Sequence, residues 1–191
     1  FFLLREMASG QDPKFSEEAL VTRIYADLAH NLGNLVSRVL AMQQKYFAGV
    51  VQPLDSEWAR EDLELSAKFA RAEIELNGFM AELQFHRALE SVWSALDHAN
   101  RYIVQTAPFT LIKDSTKQAR VGAVLHHLLE AVRTLARLLA PFIPNTAREL
   151  SALLALSDDA LKTPWGQGFA AGHTVQAPKV LFPRIESDAK K

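Results

Sequence analysis

The period of the apolar residues constrains this chain more than any other feature. Between Ala26 and Met42, Leu28, Leu32, Leu35, Val39 and Met42 fall at i, i+4, i+7, i+11 and i+14. That spacing gathers them on one stripe of an α-helix, which needs a surface to bury it against. A second stripe, Phe85, Leu89, Val92, Trp93, Leu96, Tyr102 and Ile103, marks a later helix, and strand-like alternation is nearly absent. A chain of 191 residues can bury roughly 70% of the surface it exposes when unfolded, so the stripes have a core to share. The expected fold class is all-α, a bundle of about five to six helices joined by short connections.

Breakers and caps place the elements. Phe1 to Met7 reads as the last turns of a helix, closed by Ser9, Gly10, Asp12 and Pro13. Ser16 is an N-cap, with Glu17 and Glu18 at the positive helix end and Phe15 stapling against Leu20. The helix it opens runs to about Phe47, through Gly33. Glycine costs about 1 kcal/mol against alanine inside a helix, so Gly33 implies a kink or a surface that something approaches closely. A third helix opens at Ser56 and reaches about Asn77, where Gly78 punctuates it. The fourth runs from about Glu82 to Thr106 and stops at Ala107 and Pro108, because proline disfavours helical geometry in the residue before it. After the connector APFTLIKD, a fifth helix spans about Ser115 to Ala140. Pro141 and Pro144 break it, and a sixth runs from Asn145 or Thr146 to about Leu156. Pro164, Gly166, Gly168, Gly172 and Pro178 make the remainder turn-rich, ahead of a short extended segment from Lys179 to Phe182.

Composition removes several functions. Apolar residues at 49% and charged residues at 23% exclude disorder. No apolar run approaches the roughly 18 residues of a membrane span, and Phe1 to Leu4 lacks the flanks of a signal peptide. With no cysteine, disulfides and thiolate chemistry are excluded, and a reducing cytoplasm is the expected address. A formal net charge of -1 means that any nucleic-acid contact rests on local patches and not on global attraction. The chain begins without methionine, part-way through an apolar pattern, as a fragment of something longer would.

No constellation for catalysis is visible. HExxH, ExxH and GxSxG are missing, and GQG at Gly166 to Gly168 lacks the lysine and helix of a phosphate loop. Glu82 with His86 and His126 with Glu130 are i, i+4 pairs of the sort found as surface hydrogen bonds, so no metal site is expected. Binding signals are stronger. Asn34 and Arg38, four residues apart off the apolar stripe, stack on a helix surface and offer an amide and a forked guanidinium to the edge of a flat polar ligand, or form a solvated face. Arg101, Lys113, Lys117, Arg120, Arg133 and Arg137 gather around the fifth helix as a binding patch or as solvated charge. Phe109, held by Pro108 between these basic residues, is a base-stacking platform or a plug for the bundle. A helical structural or protein-interaction module without RNA contact satisfies the same patterns.

Six blocks in this order, FFLLREM, FSEEALVTRIYADLAHNLGNLVSR, KYF, ANRYIVQTAPFTLIKD, LLAPFIPNTA and LFPRIE, resemble the C-terminal part of bacterial-type methionyl-tRNA synthetases. The resemblance covers Phe1 to Glu186. It implies a class I aminoacyl-tRNA synthetase anticodon-binding domain over 16–186, a segment linking to an absent catalytic domain over 1–15, and a tail over 187–191. It further implies that Asn34 and Arg38 hydrogen-bond the wobble cytosine of the CAU anticodon of methionine tRNA. Phe109 then occupies the place of a tryptophan on which that cytosine stacks, beside Pro108; it keeps a π face with less area and no indole donor. His30 and Tyr25 stand where the family usually or often has asparagine. The implied partners are the anticodon loop of methionine tRNA and the protein's own catalytic domain, with no DNA and no membrane. ATP and methionine belong to the full enzyme, and no cofactor belongs to this stretch.

Overall fold

From Val121 to Leu139 apolar side chains occur on every side of the helical wheel, and a helix that is apolar all round must lie inside. In the computed structural model, which describes residues 1–6, 16–54 and 57–183, this stretch is the axis of the fold. The helices are α1 (Phe2–Glu6), α2 (Glu17–Arg23), α3 (Asn34–Phe47), α4 (Arg60–Ala81), α5 (Phe85–Thr106), α6 (Pro108–Leu111), α7 (Gln118–Leu139), α8 (Pro144–Leu153) and α9 (Asp158–Leu161). A π-helical segment, Ile24–Gly33, joins α2 to α3, and a 3₁₀ turn, Ser115–Lys117, precedes α7. The axis α7 packs against α3, α4, α5, α6, α8 and α9, while α4 and α5 form an antiparallel pair and α1 lies on α5. Leu128, Leu129, Val132 and Leu135 of α7 are fully buried together with Leu32, Leu35 and Val39, Leu65 and Phe69, and Leu89, Leu96 and Ile103.

The first stripe behaves as its period requires: Leu28, Leu32, Leu35 and Val39 are buried and Met42 packs on the core from its edge. Ser16 caps α2, its Oγ accepting from the Ala19 N–H at 3.3 Å. The partner expected to staple it, Phe15, lies outside the described residues, as do the breakers between Ser9 and Pro13 and the start signal Ser56. The long helix expected over Glu17 to Phe47 is continuous, but its middle is π-helical, with i→i+5 hydrogen bonding that a 3.6-residue period does not reveal.

Gly78 does not end its helix. It sits on the exposed side of α4 with open space around its Cα, and the chain turns three residues past the helix end's neighbour Met80, at Leu83 in the left-handed region (φ 57°). The α4 start is secured from within: the Asp62 carboxylate accepts the Ala59 N–H at 3.0 Å. The APFTLIKD connector contains a helical turn, α6, and the first residues of the expected fifth helix are the 3₁₀ turn.

The C-terminal stretch winds back along the bundle. Glu130, buried in α7, takes the Arg133 guanidinium at 2.8 and 2.6 Å and accepts the Gly168 N–H at 3.0 Å. Arg133 also donates to the carbonyls of Ala160, Leu161 and Pro164. A Cβ on Gly168 would stand 2.2 Å from the Arg133 Nε, so only glycine lets the chain pass. Further on, Thr174 pairs with Val50 in a single antiparallel bridge, flanked by Val51 N–H to His173 O at 2.8 Å and Val175 N–H to Gly49 O at 3.0 Å. The pairing therefore falls at Thr174, ahead of the extended segment expected over Lys179 to Phe182.

Candidate nucleic-acid interface

The π-helical segment is fixed by polar contacts to α5. The Asn31 amide donates to Asp97 Oδ1 at 2.7 Å and its carbonyl oxygen accepts from Asn100 at 2.7 Å. Asp27, which is buried, takes Arg5 and Arg23, each at 3.5 Å. Held in this way, the helix buries one side and presents His30, Asn34 and Ser37 to solvent, with Arg38 half-buried beside them. The Tyr25 and His30 rings lie 6.2 Å apart, five residues apart in sequence as a π turn aligns them. Asn34 and Arg38 have no hydrogen-bond or ion-pair partner among the described residues, so their donors and the amide acceptor are free for a ligand.

His30, Asn34 and Ser37 form one wall of a cleft of about 370 Å³ whose opposite wall is the C-terminal segment Lys179 to Phe182. Gly33 forms its floor: a Cβ there would meet the Leu28 carbonyl oxygen and the Phe182 ring, each at 3.2 Å. The close approach foreseen at Gly33 is thus made by this protein's own C-terminal segment. Neither Arg38 nor Phe109 lines the cleft.

The second group of expected residues lies past α5. Ala107 adopts a left-handed conformation (φ 43°, ψ 54°) that turns the chain sharply into Pro108, the buried first residue of α6. Phe109 emerges 46% exposed, and Val104, one turn earlier, is 65% exposed. Phe109 is therefore a surface ring and not a plug. Arg101, Lys113 and Lys117 around it are exposed and make no salt bridge among the described residues.

The other three basic residues of the expected patch belong to the interior or its edges. Arg133 is fully buried on Glu130, Arg137 pairs with Glu73 at 2.5 and 2.6 Å, and Arg120 forks onto Asp62 at 2.5 and 2.9 Å. Burial pushes the Asp62 carboxyl up, but the hydrogen bonds from Arg120 and Tyr102 outweigh it and hold it below the usual carboxylate range. His127 faces Asp62 at 3.8 Å and accepts the Trp165 indole N–H at 3.1 Å; burial lowers its pKa to about 4, so the ring is neutral at pH 7. His126 and Glu130, expected as a surface pair, are both buried: the His126 Nδ1 meets the Gln52 carbonyl at 2.6 Å and its Nε2 lies 3.7 Å from Glu130. Among the described residues no group of three histidines and carboxylates is placed to hold a metal, and no helix is long and apolar enough to cross a membrane.

Residues 52–191 match the family described as the anticodon binding domain of methionyl tRNA ligase. The chain belongs to this family. It is 40% identical, over 97% of its own length, to the methionine–tRNA ligase of Caldanaerobacter subterraneus subsp. tengcongensis, and 35% identical over 98% to that of Bacillus subtilis. It spans only 29% of the length of each of these relatives. Among solved structures, the free methionyl-tRNA synthetase of Mycobacterium tuberculosis superposes with a TM-score of 0.88 at 34% identity, covering 97% of this chain and 38% of that one. The same enzyme in complex with methionyl-adenylate gives 0.87 at 35% identity, over 96% and 36%. The all-α architecture is therefore that of the methionyl tRNA ligase anticodon binding domain.

Ser37 and the segment ending at Phe182 carried weaker signals. Ser37 lies one turn beyond Asn34 on the same face, and Phe182 belongs to the block LFPRIE; nothing in the periodicity says that this block reaches Gly33.

Proposed function

We propose that this chain reads the CAU anticodon of methionine tRNA as part of a methionine–tRNA ligase. ATP and methionine are used by parts of that enzyme outside this chain, its own catalytic domain being the covalent partner, and the cytoplasm is its place of work. The observation that carries this reading is the amide of Asn34 above the guanidinium of Arg38, both unpaired among the described residues, on a helix whose other side is locked into the core. RNA specificity is commonly obtained by splaying loop bases onto aromatic rings and bonding their edges. Arg38 donates a planar fork to the carbonyl and ring-nitrogen acceptors of the wobble cytosine, and the Asn34 amide both accepts and donates. Phe109, set on the left-handed turn at Ala107 and backed by Pro108, supplies the stacking face. His30, one turn before Asn34, faces the neighbouring anticodon bases. Arg101, Lys113 and Lys117 attract the backbone phosphates.

Losing one such partner costs about 1 to 3 kcal/mol, or about 5- to 150-fold. In the full-length ligase, Arg38→Ala lowers aminoacylation of methionine tRNA by a factor in that range while leaving methionine-dependent pyrophosphate exchange intact. Equal loss of both activities rejects the assignment. Unchanged aminoacylation favours a structural module without RNA contact.

A further inference from the structure

Two arginines one turn apart on α7 are used differently. Every N–H donor of Arg133 is engaged, on Glu130 and on the carbonyls of Ala160, Leu161 and Pro164. Arg137 forks onto Glu73 through its two terminal nitrogens, and the edge of its guanidinium that carries Nε has no acceptor among the described residues. Lys162, exposed just past α9, holds no hydrogen bond or ion pair with its Nζ among the described residues.

Arg137 and Lys162 line one cleft of about 240 Å³, set between α4, α7 and the segment that follows α9. Phe69 and Trp165, their rings 5.4 Å apart, give it an aromatic side, and Ser66 and Thr163 add hydroxyls. The Trp165 indole is fixed by its bond to His127, so this side is built before any ligand arrives. The charge is also set. Arg133 is neutralised by Glu130 and Arg137 by Glu73, whose carboxyl the Arg137 hydrogen bonds hold below the usual range against its burial. Lys162 is left as the charge in the lining without a counter-ion.

Size narrows the occupant. A cavity of about 150 Å³ accepts benzene and drug-sized sites begin at about 300 Å³, so this cleft holds one ring system and little more. The unmet groups are donors and the uncompensated charge is single and positive. A carboxylate answers both with two oxygens and one negative charge, and it matches the planar edge of a guanidinium. A phosphate brings a third oxygen and up to two charges.

We propose that this cleft is a binding site for a small planar monoanion, an aromatic carboxylate, with its ring against Trp165 and its oxygens taken by the free edge of Arg137 and by Lys162. Asn34, Arg38 and Phe109 line no part of it. The site is therefore separate from the anticodon-reading face, and its ligand ties the segment after α9 to α4 and α7.

The test is equilibrium dialysis of the full-length ligase with benzoate, beside benzamide and acetate, which keep only the ring or only the charge. Benzoate binds saturably and at least about fivefold more tightly than either. Lys162→Met weakens benzoate by about fivefold or more, as does Arg137→Lys, which keeps a cation for Glu73 but loses the planar fork. Under ultraviolet light, 4-azidobenzoate labels peptides carrying Phe69, Lys162 or Trp165, and excess benzoate prevents the labelling where benzamide does not. Lys162→Met aminoacylates methionine tRNA within about twofold of the wild type. The proposal is overturned if benzamide binds as well as benzoate, if Lys162→Met binds benzoate unchanged, or if the label lands elsewhere. A larger loss of aminoacylation in Lys162→Met makes this lysine an RNA phosphate contact and overturns it too.

Discussion

Replacing Arg133 by methionine probes what holds the C-terminal segment on the bundle. Arg133 is 2% exposed and Glu130 fully buried, so the substitution leaves a carboxylate inside the protein with the Gly168 N–H and a histidine nitrogen 3.7 Å away as its remaining polar neighbours. It also strips a donor from the carbonyls of Ala160, Leu161 and Pro164. Breaking a buried ion pair from one side costs about 3 to 5 kcal/mol. The carbonyls overlap with that figure, since they lie near water at the segment's edge, and adding them separately would count the same desolvation twice. For a chain of this size the loss lowers the thermal midpoint by about 6 to 20 °C, read by circular dichroism at pH 7. Adding Glu130→Leu removes the stranded charge, so the double variant recovers a substantial part of the loss. A single-variant loss below about 1 kcal/mol, or a double variant less stable than Arg133→Met, would refute the reasoning.

Ala107→Gly relieves a non-glycine left-handed turn (φ 43°) and raises stability by about 0.5 kcal/mol, the relieved strain less the added freedom of the unfolded chain, as a urea midpoint at unchanged slope will show. Stability falls between pH 7 and pH 4. Burial holds His127 at about 4 when folded against about 6.5 unfolded, so the unfolded chain takes up a proton the folded one refuses, worth up to about 3 kcal/mol. His98, also lowered by burial, acts in the same direction, so His127→Gln reduces the slope of midpoint against pH without abolishing it. Asp62 and Glu130, both held below the usual carboxylate range, add their loss only below about pH 4, as the pH falls through their folded values.

The architecture was legible because two stripes at helical spacing and breakers that divide the chain into long helices leave a bundle as the simplest way to bury them, and Ser16, Pro108 and Pro144 mark real helix starts or stops. What the stripes did not show was the fate of charge. Arg120, Arg133 and Arg137 read as one basic face with Arg101 and Lys113, yet each finds a carboxylate from another turn or another helix: Asp62, Glu130 and Glu73. Sequence spacing carries no record of the Arg120–Asp62 and Arg137–Glu73 pairings across 58 and 64 residues, and for Glu130 and Arg133, an i, i+3 pair, it does not show the burial. Gly78 failed as a stop because an exposed glycine can be carried by the packing of Leu65, Phe69, Ala72 and Leu76 on the inner side of α4. In the candidate site, Asn34, Arg38 and Phe109 were legible as a pair of polar groups and a ring; Asn34 and Phe109 are exposed and Arg38 is half-buried. The facing wall at Phe182 was not, because it depends on a return path pinned at Gly168, Val175 and Lys179.

The π-helical stretch from Ile24 to Gly33 sets the phase between α2 and α3. Each of its hydrogen bonds encloses one more residue than an α-helical bond does, so side chains rotate less per step and the faces of α2, which buries no residue, are turned relative to the buried stripe of α3. The segment works as a vernier: because Leu35, Val36, Val39 and Leu40 lock α3 into the core, one residue added or removed upstream re-aims α2 around the helix axis and leaves Asn34 and Arg38 in place. The orientation of Asn34 and Arg38 is thus encoded in the apolar residues of their own helix, and the count of residues upstream sets only where α2 points.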